Sequence, residues 1–206
     1  YTAVTGIWQT VWLEPVAPVH LETIEITPDL DRGTVSFDSK FPPTEGELII
    51  QIAVFDHERK VITGSTQAST KQKGGIESLP KHKLPIGSVK VWSPDSPFLY
   101  DAKVTLRHNG KVVDEVRTYF AMRKIALAKD ENGVNRLVLN NKPLFQYGPL
   151  DQGWWPDGLY TAPTDEALRY DIEVTKKLGM NMARKHVKVE PARWYYWCDK
   201  LGLLVW

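Results

Sequence analysis

The sequence predicts an antiparallel β-sandwich of immunoglobulin type followed by a parallel α/β segment, and three observations carry that prediction. Short apolar stretches rich in Val, Ile, Thr and Phe, with Pro or Gly between them, fill the chain up to about residue 122. Beyond residue 123 the period changes, and helical and extended patterns alternate. The final stretch, Leu203-Leu204-Val205-Trp206, is an unbroken apolar run, as expected of a parallel strand buried on both faces.

The elements follow in order. Residues 21–27, 34–41, 48–56, 102–107 and 112–120 read as strands. His108-Asn109-Gly110-Lys111 joins two of them, and Asn-Gly accepts the positive φ that a tight hairpin needs. No long helix is expected in this half, and strands at this spacing suggest a two-sheet sandwich. Residues 125–139 read as a strand pair around Asp130-Glu131-Asn132-Gly133, and residues 144–148 as a short strand. A loop rich in Trp, Pro and Gly follows, from 149 to 163. Thr164 is the expected N-cap of a helix, with Asp165 and Glu166 in its first turn. Leu168, Ile172 and Leu178 form its apolar stripe, Lys176 and Lys177 its last turn, and Gly179 its stop. Residues 180–189 read as a strand. Pro191 opens a second helix lined by Trp194, Trp197, Cys198 and Leu201 and ended by Gly202, before the last strand.

Composition excludes some function classes. Lys plus Arg total 26 against 25 for Asp plus Glu, so no basic field points to nucleic acid or to an anionic membrane as the main partner. No apolar run is long enough to span a bilayer. The single cysteine, Cys198, cannot form an intramolecular disulfide. With no initiator Met and no signal-peptide pattern, the chain reads as an excised piece. Its compartment stays open, a periplasmic or secreted bacterial parent being among those admitted.

Several motifs carry a resemblance. They are Thr5-Gly6-Ile7-Trp8-Gln9-Thr10-Val11-Trp12-Leu13, Trp92-Ser93-Pro94-Asp95-Ser96-Pro97-Phe98-Leu99-Tyr100, Phe120-Ala121-Met122-Arg123 and Leu139-Asn140-Asn141-Lys142-Pro143. Residues 177–184 and 198–206 complete the series. Taken together and in this order, the chain resembles the family 2 glycoside hydrolases, the group of β-galactosidases, β-glucuronidases and β-mannosidases. The resemblance implies three parts. Residues 1–18 would end an N-terminal sugar-binding jelly roll, and 19–122 would be the immunoglobulin-like sandwich. Residues 123–206 would be a linker and the first part of a (β/α)8 TIM barrel, truncated after about three strands and two helices. It also implies a retaining β-glycosidase acting on carbohydrate, with no cofactor. The family takes its acid/base from an Asn-Glu pair near the fourth barrel strand and its nucleophile from a Glu near the seventh. This chain contains no Asn-Glu dipeptide, so neither catalytic role is assigned to any residue, and the isolated chain is expected to be inactive. Open strands in an incomplete barrel also predict self-association or local disorder.

The candidate substrate-binding residues are Arg184, Asp151, Trp154, Trp155 and His186. Arg184 matches the family's Arg after the second barrel strand, where it would help organise the carboxylates around the sugar; otherwise it is a surface arginine. The family's Asn-His and Arg-x-Ser-His stretches differ here, reading Leu150-Asp151-Gln152 and Arg184-Lys185-His186-Val187, so sugar identity does not carry over. His186 alone is more often structural than functional. Trp154, Trp155 and Tyr160 form either an aromatic platform for sugar C–H faces or a packed loop. Carboxylates such as Asp151, Asp157 and Glu190 are common as capping or surface groups. Trp194, Trp197 and Trp206 read as core. No metal-ligand spacing and no phosphate loop appears. The other class of reading is a non-catalytic immunoglobulin-like module that binds carbohydrate or another protein.

Overall fold

The computed structural model describes residues 3–70 and 76–206. By contact the chain divides into two units: Glu14–Val91 with Leu99–Ile125, and the N-terminal segment up to Leu13 with Trp92–Phe98 and Ala126–Trp206.

The first unit is built from two antiparallel sheets. One pairs β1 (Thr23–Asp29) with β2 (Thr34–Thr44), and β2 in turn with β5 (Ile76–Ser78) and β6 (His82–Pro85). The other has the order β4-β3-β7-β8, from β3 (Gly46–Asp56), β4 (Arg59–Thr70), β7 (Tyr100–His108) and β8 (Lys111–Phe120). The period-2 pattern buries one face of β3, through Leu48, Ile50, Ile52 and Val54. On β7 the matching buried residues are Ala102, Val104 and Leu106, opposite Val54, Ile52 and Ile50. The two buried faces meet: Phe37 on β2 packs edge-to-face on Phe120 at 6.0 Å, and His82 on β6 hydrogen-bonds through Nδ1 to Thr66 Oγ1 on β4 at 2.5 Å. The β7–β8 turn has positive φ at both Asn109 and Gly110, as the Asn-Gly pair predicts. Strands β4 to β6 lie outside the stretches whose alternation is clearest.

In the second unit, β9 (Ile125–Lys129), β10 (Asn135–Leu139) and β11 (Lys142–Pro143) form a small sheet in the order β11-β10-β9. Asp130 shapes the turn between the first two by accepting from the backbone N–H of Asn132 and of Val134, both at 2.9 Å. A parallel sheet follows in the order β12-β13-β14, from β12 (Leu150–Asp151), β13 (Met182–Lys185) and β14 (Leu204–Val205). Helices α1 (Asp165–Lys177) and α2 (Ala192–Leu201) connect them. The described residues are mostly β with two helices, and they close no barrel. Thr164 caps α1 as expected, its Oγ1 accepting from Ala167 N at 3.1 Å. The core joins Leu168, Ile172, Ala183, Trp194, Cys198 and Leu203. Trp92 is fully buried and donates from Nε1 to Asp199 O at 2.7 Å.

Several expectations need correction. Residues 144–148 form no strand: both Asn181 N and Met182 N converge on Tyr147 O, which breaks a regular ladder. A Cβ on Gly148 would lie 1.6 Å from Met182 O, and the Asn181 side chain instead bonds Phe145 O and Tyr147 N. The strand expected over 180–189 ends at Lys185, since Val187 turns the chain with φ 56°. Leu178, expected on the stripe of α1, and Trp206, expected in the core, are exposed; Trp197 is half-buried at the edge of the core.

Candidate functional site

The ends of β12 and β13 and the loops after them bring charged and aromatic groups together. Asp151 closes β12. Its Oδ1 accepts from Gly153 N at 2.7 Å, and its Oδ2 meets Lys185 Nζ at 2.7 Å. Lys185 closes β13, and its ammonium also pairs with Glu190 Oε1 at 2.5 Å and lies 4.6 Å from the Trp194 ring centre. Glu190 Oε2 faces Lys188 Nζ at 3.2 Å, and Lys188 donates to Gly153 O at 2.8 Å. Two ammonium groups and two carboxylates thus alternate in a chain of zero net charge. Three of the four side chains are no more than 4% exposed. Burial pulls the Lys188 ammonium below the usual lysine pKa, and the Glu190 charge opposes that shift.

An aromatic cluster flanks the ions. Tyr160 packs against Trp154 edge-to-face at 5.7 Å and against Trp8 at 5.3 Å. Residues 4–8 and 158–161 line a cleft of about 310 Å³. A second cleft, of about 390 Å³, is lined by residues 149–154, by Tyr170 and Asp171 on α1 and by Trp194. Burial, with the negative charge of Asp151 next, raises the Asp171 pKa.

The structure therefore separates the residues expected at a site. Asp151 and His186 come together: His186 N donates to Asp151 O at 2.9 Å, and its Nδ1 hydrogen-bonds the Gln152 amide at 2.7 Å. Trp154 joins the aromatic cluster. Trp155 packs against the helical core instead, with Nε1 buried and unpartnered among the described residues. Arg184 is exposed, and strand alternation puts its side chain on the opposite face of β13 from Lys185. Sequence reasoning passed over Lys188 and Trp8. The density of lysine and glutamate between 185 and 190, directly after an apolar strand and next to Trp194, is the pattern that could have found the ion chain. No group of three or more metal-ligating side chains occurs among the described residues, and no described helix is long and apolar enough to cross a membrane.

Known proteins give this geometry a family. Residues 19–123 match the model of the glycosyl hydrolases family 2, and the chain belongs to that family. It is 30% identical over 210 residues to a candidate beta-glucuronidase of Formosa agariphila, covering 97% of this chain and 19% of that protein. It is 25% identical over 211 residues to a beta-galactosidase of Vibrio cholerae, covering 98% of this chain and 20% of that one. A crystal structure of a family 2 member from Bacteroides cellulosilyticus superposes with a TM-score of 0.77 at 26% identity, over 92% of this chain and 25% of that one. The chain thus spans about a fifth of the length of the curated relatives it matches.

Proposed function

We propose that this chain is part of a retaining β-glycosidase, in which it supplies the spacer sandwich and the first wall of the sugar site. In this reading residues 1–18 end a sugar-binding jelly roll, 19–122 form the spacer, and 123–206 lead into a (β/α)8 barrel. The observation that carries it is the parallel order β12-β13-β14, with Asp151, His186 and the aromatic loop gathered at the C-terminal ends of the first two strands, the end where such barrels place their sites. Asp151, Trp154 and His186, with Arg184 from the other face of β13, remain the proposed sugar-facing residues, while Trp155, packed against the helical core, supports the loop that carries Trp154. Retaining hydrolysis needs a nucleophile and an acid/base about 5–5.5 Å apart. Asp151 and Glu190 are both engaged by the Lys185 ammonium, an arrangement that holds loops in place. With no Asn-Glu dipeptide in the chain, this reading assigns the catalytic pair to other parts of the longer protein.

The test is a panel of aryl β-galactoside, β-glucuronide and β-mannoside, given to the longer protein and to the 206-residue chain. The longer protein should hydrolyse at least one with retention of configuration, and the chain none. Turnover by the chain that disappears in Asp151→Asn would overturn the assignment of the catalytic pair.

A further inference from the structure

We infer that Lys188, held by Glu190, is a positioning residue for the glycosidase reaction, fixing the aromatic loop after β12 and the N-terminal segment at the mouth of the parallel strands. The inference rests on the reading that these strand ends face the sugar. Several chain segments converge on this one ammonium. Nζ donates to Gly153 O in the loop at 2.8 Å and lies 3.2 Å from Glu190 Oε2. It also sits 5.0 Å from the ring centre of Tyr160 and 5.5 Å from that of Trp8. Glu190 passes the link through Lys185 to Asp151 at the end of β12, and Glu190 N donates to the Tyr195 hydroxyl on α2 at 3.3 Å. The N-terminal segment is tied on both sides of the same point. Gln9 Nε2 donates to Val189 O at 3.1 Å, and Thr161 Oγ1 to Trp8 O at 3.5 Å.

Stability alone does not account for a lysine whose side chain is 1% exposed. Apolar residues of similar volume in place of a buried ion pair are often as stabilising or more so. What an ammonium adds is direction: its protons can meet a carbonyl, a carboxylate and a ring face together. The backbone on either side is bent to allow this. Val187, β-branched and 76% exposed, sits at φ 56°, a conformation such residues rarely adopt. Gly153 has φ 61°, and a Cβ there would lie 2.1 Å from Glu190 Oε1. The hub therefore holds one unfavourable backbone turn, at Val187, and one open to glycine, at Gly153, and with them the tilt of Trp8, Tyr160 and Trp154. Small displacements of groups that orient a substrate lower rates steeply.

The experiment compares Lys188→Met with the unmodified sequence. In the 206-residue chain, amide hydrogen exchange across residues 153–161 should rise at least tenfold, while the amides of β3 and β7 keep their protection. In the longer protein, kcat/KM for the aryl glycoside it cleaves should fall at least tenfold, mainly through KM. The pH profile should keep its shape, because Lys188 passes no proton to the substrate. If Lys188→Met does not fold, the near-isosteric Glu190→Gln removes the charge that holds Nζ and carries the same expectations. Unchanged exchange in the loop, or raised exchange with unchanged kcat/KM, overturns the proposal. No turnover of any glycoside by the unmodified longer protein overturns the functional reading instead, a result independent of the exchange data.

Discussion

The sandwich and the parallel unit both bury a sheet, but with different side chains. In the sandwich the buried face of β3 is aliphatic down to Val54, and its partners on β7 are apolar. Strands β2, β3, β4, β7 and β8 run 9–12 residues and are paired with a neighbour over most of their length. In the parallel unit β12 and β14 are two residues long, and next to their apolar core lies a chain of buried ions. Apolar burial is non-directional, so a sandwich can be stable without fixing any one atom closely. Ion pairs and hydrogen bonds depend on angle and distance, so they add little net stability but define where loops lie. The unit with the candidate site carries the longer chain of buried ions; in the sandwich the buried Asp56 carboxylate pairs with Lys90 and Arg59.

The largest effect that tests this contrast belongs to the sandwich. Phe37→Ala should cost about 3–5 kcal/mol in urea unfolding, as large-to-small changes in packed cores do. A loss below about 1 kcal/mol would break the comparison by showing that the sandwich core is not where the stability resides. Gly153→Ala should cost roughly 1–3 kcal/mol through its left-handed backbone conformation alone. It should also red-shift the tryptophan emission, since the aromatic loop is displaced; an unchanged spectrum would show that loop and ion hub are not coupled. Thr164→Ala removes the cap of α1 and should cost about 1 kcal/mol in thermal melting, leaving the tryptophan spectrum alone.

The subtlest effect is on pH. Burial lowers the His82 pKa below its ordinary value of 6.5, and its Nε2 has no hydrogen-bond partner among the described residues. The unfolded chain therefore takes up this proton first. The contribution of His82 is fully present above about pH 6.5 and is lost as the pH falls from there toward the lower folded pKa. His82→Asn should flatten that part of a stability–pH curve measured by urea unfolding. An identical slope in the variant would place the titrating group elsewhere.

Much of the sandwich was legible because alternation is a local property. Residues 34–41, 48–56, 102–107 and 112–120 fall within β2, β3, β7 and β8. Caps and turns were legible for the same reason, as at Thr164 and Asn109-Gly110. Strands of two residues cannot show a period, so β12 was not visible. The apolar look of 144–148 misled instead: Phe145 is 84% exposed. Of the expected site residues, Asp151, His186 and Trp154 came together, whereas Trp155 went to the core and Arg184 to the other face of its strand.

By itself, then, the sequence determined the strand alternation, the turn and cap positions and the family to which the chain belongs, all of which depend on neighbours a few residues apart or on motifs in order. Only the tertiary structure decided which charges are buried. A lysine or glutamate can leave water only where partners of opposite charge and aromatic faces already wait. For Lys188 these come from Gly153, Tyr160 and Glu190 and, from the far end of the chain, Trp8. Contacts that span such separations have no local pattern to announce them, so the ion hub exists only once the chain has folded.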